Sequence, residues 1–551
     1  MTLPEAADRF YGGRSRLPLL IAVVAVAGLI GTAAAIRVAH GELVAALCVV
    51  PYLGLLWVVW WLTKGNLPVL VLVAYLIAPA PADNLLPQVF IFPATDIAQR
   101  ARDLFFLADL VLLIALVATR PPWPKGRLLR AWLICLFVLA AYPLLIGLLD
   151  GVGQSVPAVL QGATMPLRGV AMVVLIVWWA RTRGWDPTVR DLGRTLVLCG
   201  AAIVVAEVVL KLFAGGQLNF SLFGYPLVVD GRPSVPGWGN NILANFFCTC
   251  LAALTFLRLR LGWRTRWVVA LSVLLLVGLA YTEVRIAMLL ALIVVETPVV
   301  LHVIRRVWRR RGPLPAILAG ILAAAVLGIG STVALYYINP RFSTLTPGFV
   351  LQYLPKAGGS SPTVVTAVDP ETGLELGGDS ISTRGGLFKS AVQIWSEHPF
   401  LGTGWNGWGW SKQHTDYPQV VAIDPHNGIT WLLVDTGALG VLLLYLLPVV
   451  QALRRWDIWW VWAVPAVASM LEMVNPNLRV GHFAVIVWAF LALTFAAPAP
   501  AKRYKFRSWV VDSFNWIRGR DPDGPAEPAP PAGPGHAPVQ RPAAVRAGHI
   551  G

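Results

Sequence analysis

The stretch Trp267–Leu301, WVVALSVLLLVGLAYTEVRIAMLLALIVVETPVVL, decides the fold class. Two apolar runs, Trp267–Tyr281 and Ile286–Leu301, meet at Arg285 with almost no loop between them. Runs of about 15 to 20 apolar residues cross a bilayer as helices, upright or tilted. Lipid offers the backbone no hydrogen-bond partner, which excludes open strands. The same pattern recurs along the chain. Its 551 residues are 57% hydrophobic and 13% charged, with mean hydropathy +0.67. That is roughly half the charged fraction of a soluble protein. The sequence therefore predicts an all-α, polytopic integral membrane protein.

Apolar runs and basic breaks together predict about fourteen spans with every second break basic, and so both termini in the cytoplasm. The first run, Leu17–Ala35, reads as an uncleaved first helix rather than a signal peptide. Residues 1–337 are spans with short loops, including one at Leu167–Ala180. Residues 338–425 form a long extracytoplasmic loop that we expect to be catalytic. Residues 426–500 return as the last spans, and 501–551 are a basic, then Pro/Ala-rich tail that cannot bury a core. The formal net charge is +16. The basic residues sit in short clusters between spans, so topology accounts for them without a nucleic-acid partner. The five cysteines all lie in apolar stretches and predict neither a disulfide framework nor a metal site.

Because arginine belongs on the inner side, arginines on the other side are informative. Arg285 is the most telling, since a charge at that depth must face protein, water or a counter-ion. Its rigid fork of donors suits phosphate oxygens; pairing with Glu283 is the alternative. Arg384 opens a segment in which Leu387, Ala391, Ile394 and Trp395 recur at helical spacing, with Ser382 or Thr383 as cap. Arg232, in GRPSVPGWGNN, follows the same logic with less support. Arg168 and Arg479 open spans as headgroup anchors. His426, in Asp-Pro-His-Asn-Gly, is a candidate general base for a sugar hydroxyl, or else a helix cap. Trp405, Trp408 and Trp410 are candidates to stack on sugars, and an interfacial aromatic belt explains them equally well.

Three matches resemble the bacterial O-antigen ligase/polymerase family. Thr-Glu-Val-Arg-Ile-Ala (282–287) resembles its arginine-bearing hinge, with Val284 where the family commonly has serine. Arg384 followed by Glu-His-Pro-Phe-Leu-Gly-Thr-Gly (397–404) resembles its loop helix and Pro-x-x-Gly-x-Gly stop. His426-Asn427, then Leu432, Leu433, Gly437 and Gly440, resembles its His-Asn helix start. Arg232 through Asn245 resembles a weaker family segment.

The resemblance implies a cofactor- and metal-independent glycosyltransferase of the GT-C class in the bacterial cytoplasmic membrane. It moves a glycan from a polyprenyl-diphosphate carrier to a glycan, glycolipid or protein acceptor at the outer face. Arg285, Arg384 and Arg232 would hold the diphosphate and His426 would deprotonate or orient the acceptor; Trp405, Trp408 and Asn427 would contact the glycan. A polymerase of the same family is the alternative. A lipid-linked glycan transporter is the rival from another class, with Glu207 and Glu472 as its intramembrane candidates.

Overall fold

The computed structural model describes residues 49–77, 107–149, 156–214, 240–282, 284–338, 380–411, 427–472 and 481–499, and six short strand pieces between residues 221 and 376. Leu17–Ala35, most of the 338–425 loop and the 501–551 tail lie outside the described residues. The main helices are α1 (Val49–Leu62), α2 (Leu67–Ile77), α3 (Leu107–Thr119), α4 (Arg127–Leu149) and α5 (Val156–Arg183). They continue with α6 (Trp185–Ala214), α7 (Asn240–Phe256), α8 (Thr265–Thr282), α9 (Arg285–Arg311) and α10 (Pro313–Ile338). The set closes with α11 (Ser380–Glu397), α12 (Gly428–Arg454), α13 (Trp459–Glu472) and α14 (Gly481–Ala496). Among the described residues, extended structure is limited to three antiparallel pairs of two-residue strands.

Among the described residues, seven helices are long and apolar enough to cross a membrane, and shorter apolar helices such as Leu67–Ile77 and Phe483–Ala496 pack among them. The fold is therefore all-α and polytopic. The helix that contains Arg168 starts eleven residues earlier than the apolar run at Leu167, so Arg168 lies inside a span rather than at its mouth. Headgroup anchoring is corrected accordingly. Arg168 Nε and Nη2 each donate to Asp109 of α3 at 2.9 Å, and Tyr75 of α2 donates to the same carboxylate. A charge within a span is tolerable when it is paired in this way.

The centre of the bundle is α14 and the inner face of α5. Phe483, Ile486, Phe490 and Leu493 are fully buried, as are Met172, Val173, Leu175 and Ile176. Trp132 of α4 stacks on Phe495 at 5.0 Å and meets Trp488 at 6.0 Å, and its Nε1 donates to the Leu444 carbonyl of α12 at 3.2 Å. In lipid, association rests on packing and hydrogen bonds of this kind, because bilayer tails are as apolar as leucine. The opposite case is α10, whose Leu314, Leu318, Ile321, Leu322 and Ile329 are exposed; in a bilayer such a face meets lipid.

The bundle has two unlike ends. At the basic end Trp185 Nε1 donates to Leu493 O at 2.8 Å, and Gln451 donates to Thr494 O at 3.0 Å. At the other end, α8 turns into α9 at Arg285 and α12 begins; we call it the hinge end.

Candidate functional site

At the hinge, Thr282 ends α8 and its hydroxyl donates to Leu279 O at 2.7 Å. Val284 is the extended N-cap of α9 (φ −88°, ψ 101°) and is buried, with Arg285 as the first helical residue. Arg285 thus sits at the positive end of a 27-residue helix, where unpaired N–H groups and a guanidinium both favour an anion.

Helix α11 forms as its periodicity predicts, but begins at Ser380, so Ser382 and Thr383 are helical rather than capping. Leu387, Ala391 and Ile394 bury against Trp408 and Val434 of α12. Arg384 lies one turn ahead of Leu387 on this helix. The chain leaves α11 at His398, which is exposed, and Trp395 Nε1 donates to Pro399 O at 3.1 Å.

Beyond Pro399 the loop enters a break in α12. That helix is interrupted at Gly437 (φ 62°, ψ −171°), nine residues or about 14 Å from its start. The backbone groups freed there pair with the loop. Ala438 N donates to Pro399 O at 2.9 Å and Leu439 N to Phe400 O at 3.1 Å; Thr403 N and Gly404 N donate to Val434 O and Asp435 O at 2.9 Å. Asp435, fully buried, accepts from Asn406 N at 2.8 Å and Trp408 N at 3.4 Å, and Tyr142 of α4 donates to Thr436 O. Irregular backbone survives within a membrane bundle only when satisfied in this manner. Glycine is required on both sides. A Cβ on Gly437 would lie 2.3 Å from the Phe400 carbonyl, and one on Gly402 (φ 71°) 2.5 Å from Thr436 N.

This clamp accounts for the tryptophans. Trp405 is 0% exposed, its Nε1 donates to Ala140 O at 3.3 Å, and its ring lies against Gly162 and Trp431. Trp408 is 2% exposed. Both rings pack inside the protein and dock the loop, a placement that differs from the sugar-stacking surface expected of them. The physical reason is the Asp435 carboxylate, which draws the intervening turn inward.

The start of α12 is equally built. Asn427 is its N-cap, accepting from Ile429 N at 3.0 Å and Thr430 N at 3.1 Å, and Thr430 Oγ1 donates to Asn427 O. Glu472, buried at the end of α13, sets its carboxylate on Gly428: a Cβ there would lie 1.9 Å from Glu472 Oε2. His426 immediately precedes this cap and lies outside the described residues, as does Trp410's side chain. The side chains of Arg232, Arg285 and Arg384 lie outside them too; Arg232 falls on the two-residue strand Arg232–Pro233. Among the described residues no group of His, Cys, Asp and Glu is arranged to hold a metal.

The helices carrying these residues are linked through α7, which packs on both α9 and α13, while α13 and α11 pack on α12. The clamp at Asp435 and Gly437 and the seat of Glu472 on Gly428 were not read from the sequence. A lone aspartate in the apolar run Trp431–Leu446 was the available signal.

Residues 270–445 match the family model described as O-Antigen ligase. No curated protein matches the chain. The matched stretch contains the Arg285 hinge, α11, the clamp loop and the His426–Asn427 turn.

Proposed function

We propose, on the match of residues 270–445 to the O-antigen ligase family model, that the chain is a metal-independent GT-C glycosyltransferase of the O-antigen ligase/polymerase type. It transfers a glycan from a polyprenyl-diphosphate carrier to an acceptor hydroxyl at the outer face of the bacterial cytoplasmic membrane, with both termini in the cytoplasm and residues 338–425 as the catalytic loop. The family match and the long apolar helices support a multi-pass membrane protein with an O-antigen ligase/polymerase type of function.

One observation carries the finer reading: the clamp ties the helix bearing Arg384 to the helix headed by His426–Asn427. In the proposed reaction the acceptor oxygen attacks the anomeric carbon while the carbon–oxygen bond to the diphosphate breaks, which inverts that carbon. His426 takes the acceptor proton. Charge builds on the departing diphosphate, where Arg285 and Arg384, with Arg232 assisting, stabilise the transition state more than the ground state. Asn427 holds the turn that presents His426 and faces the glycan; Trp405 and Trp408 support the loop from beneath. The same chemistry serves a polymerase when the acceptor is another lipid-linked repeat unit.

The test is a reconstituted assay with purified protein, polyprenyl-diphosphate glycan and an acceptor-containing lipid extract. Release of carrier diphosphate with glycan gained by the acceptor is expected, falling at least about 100-fold in Arg285→Ala, Arg384→Ala and His426→Ala. Undiminished transfer in those variants would move the chemistry to other residues, and passage of intact glycan-lipid across the bilayer with no bond broken would replace this reading with the transporter.

A further inference from the structure

We propose that Glu472 is a positioning residue for the transfer reaction: its buried carboxylate pins the start of a folded-over half-helix, residues 428–436, and so fixes the turn that presents His426. This rests on the reading of His426 as the general base and deepens it.

The inference starts from lengths. Helices α12 and α13 share the basic end of the bundle, joined there by Arg455 and a 3-10 turn, Trp456–Ile458. Were α12 straight, its 27 residues would rise about 40 Å from that end. The 14 residues of α13, with the 3-10 turn ahead of them, rise at most about 27 Å. The far tips meet nonetheless. A Cβ on Gly428, the first residue of α12, would lie 1.9 Å from Oε2 of Glu472, the last residue of α13, and 3.2 Å from its backbone oxygen.

The break at Gly437 takes up the difference. Between Arg454 and Gly437 α12 rises about 25 Å, already close to the level of Glu472. The residues ahead of the break therefore run across the bundle rather than beyond it. Burial agrees. Every residue from Gly428 to Gly437 is buried or half-buried, whereas Leu439, Leu442, Leu446, Val449 and Leu453 beyond the break are exposed. A helix covered all round lies inside a bundle, while one projecting past its end would be bare.

This half-helix is held at both ends. Asp435 and the loop backbone fasten the Gly437 end. At the other end Asn427 accepts from Ile429 N and Thr430 N, and Glu472, 1% exposed, sets its carboxylate against Gly428. A negative group is favoured there, because the first N–H groups of a helix leave partial positive charge. His426 stands two residues ahead of Gly428, so a shift of the tip carries the base with it. A misplacement of about 1 Å at a reacting group costs on the order of 100-fold in rate. Such a shift acts on the chemical step and leaves donor binding largely intact.

The test pairs Gly428→Ala with Glu472→Asp in full-length protein in lipid bicelles, read by the transfer assay and by thermal unfolding. Gly428→Ala drives a methyl into the carboxylate. It should lower the melting temperature and cut kcat at least about tenfold, with the donor KM within about threefold of the parent. Glu472→Asp withdraws the carboxylate by one methylene, so the double variant should regain most of both losses. Glu472→Gln keeps the shape without the charge and should lower kcat about tenfold, more than Glu472→Asp does. Arg168→Ala, destabilised elsewhere on α5, should show no such kcat loss once rates are normalised to folded protein. Additive effects in the Gly428→Ala/Glu472→Asp pair, unchanged kcat in Glu472→Gln, or losses carried by the donor KM would each overturn the proposal. Should Glu472→Gln fail to accumulate, the pair decides alone: compensation supports the pin and additivity overturns it. If His426→Ala transfers normally while the pair still compensates in the melt, the pin stands and the base role of His426 falls. If His426→Ala is inactive and the pair is additive, the reverse holds.

Discussion

The two ends of the bundle use charge in opposite ways. At the basic end, arginine donors go to carbonyls and carboxylates of neighbouring turns. Arg194 Nε donates to Leu261 O at 2.7 Å, Arg130 Nε to Pro124 O at 2.6 Å, and Arg455 grips Asp457 at 2.8 and 2.9 Å. Arg260 lies 5.0 Å over Trp460 and pairs with Asp186, both about half exposed. Toward the hinge end, polar groups lie within the bundle: Glu207, Asn245, Thr282, Asp435 and Glu472 are each at most 1% exposed. Charges beside water orient a span at little energetic consequence. Charges kept from water hold geometry, and their loss is costly. The contrast teaches that arginine number says little here; depth says most.

Substitutions of graded severity test that contrast. The largest effect is expected at the clamp. Gly437→Val adds both left-handed strain and a collision with Phe400, together about 4 to 6 kcal/mol; thermal unfolding in bicelles should show a collapsed melting temperature or no folded protein. A variant melting like the parent would mean the break in α12 is not needed.

Arg168→Ala should come next, at about 3 kcal/mol, because it leaves the Asp109 carboxylate buried without its guanidinium. Asp109→Asn in the same chain should recover much of that loss, and a purely additive double variant would move Arg168 to the basic-end class. Asn427→Ala removes an N-cap that serves two N–H groups and should cost about 1 kcal/mol. Its effect on transfer should exceed its effect on stability, since it also loosens the turn after His426. The smallest effect belongs to Arg260→Ala, within about 0.5 kcal/mol in the melt and absent from the transfer assay. A large loss there would erase the distinction between the ends.

Much of this was legible before any coordinates. The apolar runs on either side of Arg285 became α8 and α9, the second continuing ten residues beyond Leu301 through the basic cluster to Arg311. Of the stripe Leu387, Ala391, Ile394 and Trp395, the first three became the buried face of α11 while Trp395 stays half-buried. Other features were not legible, for reasons that lie outside local pattern. Arg168 looked like a span opener because hydropathy falls at Gln161 and Thr164, yet hydrogen bonding continues α5 back to Val156. Trp405 and Trp408 looked surface-bound because their neighbours are glycine, asparagine and serine; a partner almost thirty residues away, Asp435, pulls them in.

The sequence by itself determined that the chain is an all-α membrane bundle, that its arginines divide between two ends, and that its 282–445 motifs resemble one family. These follow from one-dimensional rules: lipid demands a backbone satisfied within each helix, and hydropathy alternates with charge. Only the tertiary structure decided that α12 is broken at Gly437, that a loop fills the break, and that Glu472 seats on Gly428. Each of those depends on a hydrogen bond or a packing contact between segments distant in the chain. Local periodicity carries no record of which distant partner a freed backbone group or a buried carboxylate will find.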